Sequence, residues 1–322
     1  MTQTFSTEQF TLAVTSRESL NDVSMTHVHV TDRFSHARHT VLRVATQAFL
    51  NAMERYLKTH PRVGFGSKVN LVRTLVYVPA GIRSWTAHMP GAFATYPVHN
   101  PDTERIHNGP KLDIITKNLF RHSADGRGLR SRSYALAWLV WRRYGARTTP
   151  LHWLSLGSGT GHQTIEAARV LKRPPEVWVT DINHEVLTFA AGLIEEEARP
   201  PRAHIEELDA LDATLLSQKL QQVAPQVVDA MGLVEYLDDE QLVTFVRTIR
   251  EHAPKGCQFV FTNMRPTHPG LEVHRRGLGW PGVIVRTEAE VCALLHRAGV
   301  TSQNIHVVLP DDHVYGVYEI LT

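Results

Sequence analysis

The run Leu154-Ser155-Leu156-Gly157-Ser158-Gly159-Thr160-Gly161-His162 joins an apolar segment (151–156) to a helical pattern (163–171) through glycines at alternate positions. Glycine lets the backbone turn tightly, so a ligand can lie against bare peptide, and the helix that follows points its first N–H groups at that ligand. Nicotinamide and flavin proteins use a related turn. Here the spacing is G-x-G-x-G rather than the dinucleotide G-x-G-x-x-G/A, and His162 stands where close helix–strand packing wants Gly or Ala. The spacing points to a ligand without a pyrophosphate and away from a nicotinamide-dependent oxidoreductase.

Downstream, a second strand pattern (177–180) ends at Asp181, 20 residues beyond Gly161. A carboxylate there can accept hydrogen bonds from ribose hydroxyls; capping of the next helix, by Asp181 or Asn183, is the competing role. Strand patterns at 204–208, 226–231 and 258–262 alternate with helical ones at 185–196 and 239–252. Thr287-Glu288-Ala289-Glu290 is a capping-box pattern opening a helix to Arg297. Residues 305–309 and 314–321 flank Pro310-Asp311-Asp312 as a terminal hairpin. This alternation predicts an α/β fold: a doubly wound, mostly parallel, seven-stranded Rossmann-like sheet with helices on both faces and an antiparallel edge.

Upstream of Pro150 the texture differs. Residues 1–33 show no clear period and read as an arm or short strands. Val41, Leu42, Val44, Ala45, Phe49, Leu50 and Met53 recur at helical spacing and predict an amphipathic helix over 35–56, ended by Pro61. A glycine-containing loop (63–67) precedes an apolar stretch over 69–78. Pro79, Pro90, Pro97, Pro101 and Pro110 predict loop across 79–110, and helices follow at 112–120 and 129–144. The chain is thus expected to divide into a mainly helical N-terminal lid and substrate region, 1–124, and a ligand-binding domain, 125–322.

The chain has 322 residues, 43% of them hydrophobic and 20% charged, which excludes a disordered or coiled-coil protein. No apolar run approaches the roughly 18 residues of a membrane span, and the first residues lack the pattern of a secretory signal. Two cysteines, Cys257 and Cys292, exclude a disulfide framework and a cysteine zinc site. A cytoplasmic location is expected. The net charge of +2 conceals a split. Residues 1–150 carry 20 Lys+Arg against 9 Asp+Glu (+11), and subtraction from the totals of 34 and 32 leaves 14 against 23 (−9) for 151–322. Opposite charge favours docking of the two parts, and the basic excess favours an anionic small molecule. The basic residues are scattered and not interleaved with aromatics, which argues against nucleic acid. His27-x-His29 and His36-x-x-His39 lack a supporting carboxylate or cysteine pattern and read as surface residues, so no metal is expected.

Residues 125–322 resemble the class I S-adenosylmethionine (SAM)-dependent methyltransferases. The resemblance is carried by Leu156-Gly157-Ser158-Gly159-Thr160-Gly161, Asp181, Leu208-Asp209-Ala210, and the run Val228-Asp229-Ala230-Met231-Gly232-Leu233-Val234-Glu235-Tyr236-Leu237. It implies SAM as cofactor. Gly157, Ser158, Gly159 and Gly161 would lie against its amino-acid part, Asp181 at the ribose with Ile182 beside it as a further cofactor-binding residue, and Asp209 with Ala210 at the adenine amine; Asp212 also fits that last role. The family grips the SAM carboxylate with a residue ahead of the first strand, and Arg's planar fork suits that task. Arg130 and Arg132 are two apart and cannot share a helix face, so one is expected at the site, with Arg132 the candidate, and the other in solvent. Tyr236 and Glu235 are the catalytic candidates. A tyrosine face can steer a sulfonium, and Glu235 can orient substrate or act as base, while packing of the helix start is the competing role. The segment 264–286, with His268, His274, Arg275, Arg276 and Trp280, is expected to form part of a lid.

The resemblance implies a methyltransferase for a small-molecule acceptor, working by in-line displacement at the sulfonium. Transfer or ring closure of the aminocarboxypropyl arm of SAM, releasing methylthioadenosine, is the alternative chemistry.

Overall fold

The chain, described over residues 4–322 by a computed structural model, opens on three antiparallel strands, β1 (Thr4–Ser6), β2 (Phe10–Leu20) and β3 (Val23–Asp32). Asn21 and Asp22 join β2 to β3 with φ of 49° and 66°, the two positive values that a tight two-residue hairpin demands and that Asn and Asp tolerate.

Helices follow: α1 (Thr40–Thr59), α2 (Leu71–Val76), α3 (Ala80–Trp85), α4 (Ala92–His99), α5 (Ile114–His122) and α6 (Ala124–Tyr144). The loop expected across 79–110 is therefore wrong in part, because α3 and α4 lie within it. The six residues of α3 fit between Pro79 and Pro90, with Pro79 at the N-cap, where its missing N–H costs nothing, while the eight-residue α4 carries Pro97 within it, near its C-terminal end. The amphipathic face of α1 also departs from expectation. Met53 and Leu57 are buried, but Val41, Val44 and Phe49 stand exposed.

The remaining chain alternates: β4 (His152–Leu156), α7 (His162–Ala168), β5 (Glu176–Asp181), α8 (His184–Glu195), β6 (Arg202–Glu207), α9 (Ala213–Val223), β7 (Val227–Ala230), α10 (Asp239–His252) and β8 (Gln258–Met264). A π-wound turn (Val273–Leu278), α11 (Glu288–Arg297), β9 (Ile305–Pro310) and β10 (Tyr315–Leu321) complete it. The Thr287–Glu290 capping box is present as expected.

One sheet runs β1-β2-β3-β9-β10-β8-β7-β4-β5-β6. It has ten strands rather than seven, because β3 pairs in parallel with β9 and brings the N-terminal hairpin into the sheet. Strands β8, β7, β4, β5 and β6 are parallel, and β10 is antiparallel to both β8 and β9. The chain leaves β4 toward β5 on one side and later returns to β7 on the other. That reversal opens a crevice at the carboxyl ends of β4 and β7, where open α/β sheets bind ligands. Separate apolar cores cover the two sheet faces, and a third, containing Leu57, Trp85, Phe120 and Met264, lies under the N-terminal helices. Among the described residues no helix is long and apolar enough to cross a membrane.

Candidate active site

The glycine turn between β4 and α7 holds Gly157, Gly159 and Gly161 at φ of 55°, 56° and 67°, left-handed conformations that side chains resist. The turn is stitched to the end of β5. Ser158 donates through its amide and its hydroxyl to the Thr180 carbonyl (2.9 and 3.0 Å), and the Gly159 amide donates to Asp181 Oδ2 at 2.9 Å. Asn183 caps α8 with its side chain, which leaves the Asp181 carboxylate free of that duty. Its other oxygen accepts from the Asn183 amide at 3.0 Å. Ile182 beside it is 73% exposed. After β6, Asp212 caps α9, so it is engaged locally, whereas the Asp209 carboxylate accepts, among the described residues, only from the Leu211 amide (2.9 Å), and Ala210 is buried.

His162 opens α7 as a buried ring, its Nδ1 2.6 Å from Thr160 Oγ1 and its centroid 4.4 Å from that of His99 in an edge-to-face contact. Burial, with the charges of His99 and Arg132, drives its pKa well below the usual imidazole value, so it is neutral. The start of α4 rests on the turn: a Cβ at Gly159 would lie 2.8 Å from the Ala92 Cβ.

The two arginines of α6 take different roles, and the expectation that one faces solvent is wrong. Both are buried. Arg130 donates from Nε to Asp32 (2.7 Å) and from its other nitrogens to the carbonyls of Val98, Phe120 and Arg121. Arg132 donates from Nε to Gln163 Oε1 and from Nη1 to Glu235 Oε1, both at 3.0 Å, and lies over the Tyr315 ring. Glu235 is buried, and burial outweighs the facing Arg132 to raise its pKa.

Beside this pair a cavity of about 300 Å³ runs between the helices and the sheet. Leu50, Val76, Trp85, Phe120 and Val283 give it an apolar wall; Arg132, Glu235 and Tyr236 form its floor. The Tyr236 hydroxyl accepts from Trp280 Nε1 at 2.8 Å, and burial pushes its pKa up to about 12. Asp125 and His274 also line the cavity, with His274 Nδ1 2.7 Å from Asp125 Oδ1.

No family model matches the chain, and no curated protein matches it in sequence. Solved structures match in shape. A protein from Bordetella parapertussis described as possibly exported aligns at 14% identity over 86% of this chain and 96% of its own, with a TM-score of 0.60. The S-adenosylmethionine-dependent methyltransferase SibL, in its apo form, aligns at 15% identity over 91% of this chain and 78% of its own, with a TM-score of 0.50. The fold is that of the class I methyltransferases.

Within this methyltransferase fold, Gly157, Ser158, Gly159, Gly161, Asp181 and Ile182 gather at one crevice, with Asp209 and Ala210 following the neighbouring strand. Arg132, Glu235 and Tyr236 meet at the cavity floor. Two features escaped the sequence. The first is α4, which covers the glycine turn and whose eight residues carry no periodic signal. The second is the pairing of Asp125 with His274, 149 residues apart, which no spacing rule reveals.

Proposed function

We propose that the protein is a SAM-dependent methyltransferase for a small-molecule acceptor. The observation that carries this reading is Asp181. With the helix cap given to Asn183, this carboxylate at the end of β5 keeps acceptor capacity beside a turn of bare backbone, the arrangement a ribose diol needs. Asp181 would hold the ribose, Ile182 would cover the adenine, and Asp209 would accept from the adenine amine. SAM bound there supplies an electrophilic methyl group. Arg132 retains N–H groups for the cofactor's carboxylate, and Glu235 acts as its positioning residue. Tyr236 lines the passage from cofactor to acceptor, and the cavity holds the acceptor. Its apolar wall favours a neutral acceptor over the anionic one that the charge split suggested. The helices over 37–122 and the segment 265–286 form the lid.

Calorimetry checks the cofactor assignment. SAM should bind in the micromolar range, about −8 kcal/mol at ~1 μM, and NAD should give no heat. Asp181→Asn should weaken SAM at least tenfold in a folded protein, since hydrogen bonds to a charged acceptor are each worth about 1.5–3 kcal/mol. NAD binding in place of SAM, or an unchanged affinity in the variant, would defeat the assignment.

A further inference from the structure

The geometry points to His274 as the base that takes the acceptor's proton, held in place by Asp125, during methyl transfer to a hydroxyl on a neutral, ring-bearing acceptor. This rests on the methyltransferase reading above, which assigns no residue to the proton.

The tautomers follow from donors and acceptors alone. The Gly270 amide donates to His268 Nδ1 at 2.9 Å, so that nitrogen carries a lone pair and the proton of neutral His268 lies on Nε2. That Nε2 faces Asp125 Oδ1 at 3.3 Å. His274 Nδ1 lies 2.7 Å from the same oxygen, and a carboxylate accepts, so Nδ1 holds the proton of His274. Its Nε2 is therefore left with the lone pair. That atom is buried and has no hydrogen-bond partner among the described residues, in a residue that lines the cavity with Trp85, Phe120 and Trp280. Asp125, His268 and His274 are residues of metal-ligand type with donor atoms within 4.8 Å of one another. The Gly270 contact nevertheless places His268's proton on the nitrogen a metal would need, so the arrangement is a hydrogen-bonded relay and not a ligand set.

The surroundings fit a base. His274 stands on the π-wound turn Val273–Leu278, a geometry common at functional sites, and Glu54 fixes the start of that turn by accepting from the Glu272 and Val273 amides (3.2 and 2.9 Å). Trp280 stacks on the His274 ring at 5.6 Å. The titratable and charged groups around His274 are Asp125, His268, Arg127 and its chain neighbour Arg275, with Arg132 and Glu235 also lining the cavity and Glu272 paired with Arg276 on the turn. His122 is the other cavity histidine with a bare, buried Nε2. Burial, with nearby His39, Arg130 and Arg121, holds it at about 4, which makes it a poor base.

The reaction balances within this site. His274 Nε2 takes the hydroxyl proton as the acceptor oxygen bonds to the methyl carbon, and the electron pair of the broken carbon–sulfur bond stays on sulfur. Positive charge thus passes from the sulfonium to an imidazolium beside Asp125, and no net charge is created in an apolar chamber. A phenolic hydroxyl, with two or three apolar faces to bury, matches the aromatic wall.

Long-range proton–nitrogen NMR of histidine-labelled protein tests the relay without turnover. In wild type, His274, assigned by its loss in His274→Gln, should be the Nδ1–H tautomer, and Asp125→Asn should shift it toward Nε2–H. A wild-type Nε2–H tautomer would overturn the relay. Turnover is then measured with a panel of neutral one- and two-ring phenols that includes 1-naphthol. His274→Gln should lower kcat roughly 10²–10⁴-fold, the usual yield of general-base catalysis, with KM changed less than about threefold and SAM affinity unchanged by calorimetry. The acid limb of the wild-type pH–rate profile should vanish in this variant. Wild-type kcat in His274→Gln would overturn the base assignment, and transfer to no phenol by SAM-loaded wild type would overturn the acceptor class. Failure to bind SAM would instead sink the methyltransferase reading, while the tautomer measurement would still judge the relay.

Discussion

Asp229 shows what a single residue does beneath the site. It lies in β7, fully enclosed, and accepts from Trp153 Nε1 (2.5 Å), Ser155 Oγ (3.0 Å) and Thr164 Oγ1 (3.0 Å). These bonds tie β4 and α7 together directly under the glycine turn, so the carboxylate belongs to the scaffold and not to the chemistry. Burial outweighs the three donors and pushes its pKa from 3.8 up to about 6. An acid whose folded pKa is raised favours the folded state below its unfolded pKa, and that contribution is lost as pH rises through the folded value. The two-unit rise corresponds to about 3 kcal/mol lost between roughly pH 4 and pH 6. Asp229→Asn keeps an acceptor oxygen, and the Ser155 and Thr164 hydroxyls can turn to meet its amide. Urea denaturation of variant and wild type should therefore diverge with pH, the variant gaining by about 3 kcal/mol from pH 4 to pH 7. A pH-independent difference would show that Asp229 is not protonated in the native state.

At the scale of elements, Arg130 is the join. From α6 it reaches Asp32 at the end of β3 and carbonyls at the ends of α4 and α5, so one guanidinium fixes the N-terminal hairpin and two of the N-terminal helices. Removing one partner of a buried pair leaves the other charge unmatched, at about 3–5 kcal/mol. Asp32→Ala should lose about 3 kcal/mol by chemical denaturation, and a loss under about 1 kcal/mol would demote the pair to a bystander. The sequence discloses these elements unevenly. The β4–α7 turn and the Thr287 capping box were legible because glycine spacing and T-x-x-E are local geometry written in residue types. The β2–β3 hairpin was not, since Asn21-Asp22 lacks the glycine that usually marks such a turn. Helices α3 and α4 were hidden because six or eight residues span about two turns and show no period. Arg130 was expected as one of two alternatives, but its partner Asp32, 98 residues away, was not.

For the whole molecule, the basic N-terminal half covers the crevice of the acidic half, and the cavity exists only where the two meet. The glycine-turn side of that junction was readable from motifs; the cavity side was not, because its wall comes from short helices and from the segment after β8. We propose that this enclosure delivers a methyl group, and not the aminocarboxypropyl arm, to an acceptor beside Tyr236 and His274. Incubating the protein with SAM and the phenol panel, then identifying the nucleoside product by mass spectrometry, tests that most directly. S-adenosylhomocysteine, with a matching methylated phenol, is the expected result. Methylthioadenosine as the sole enzyme-dependent nucleoside would contradict it.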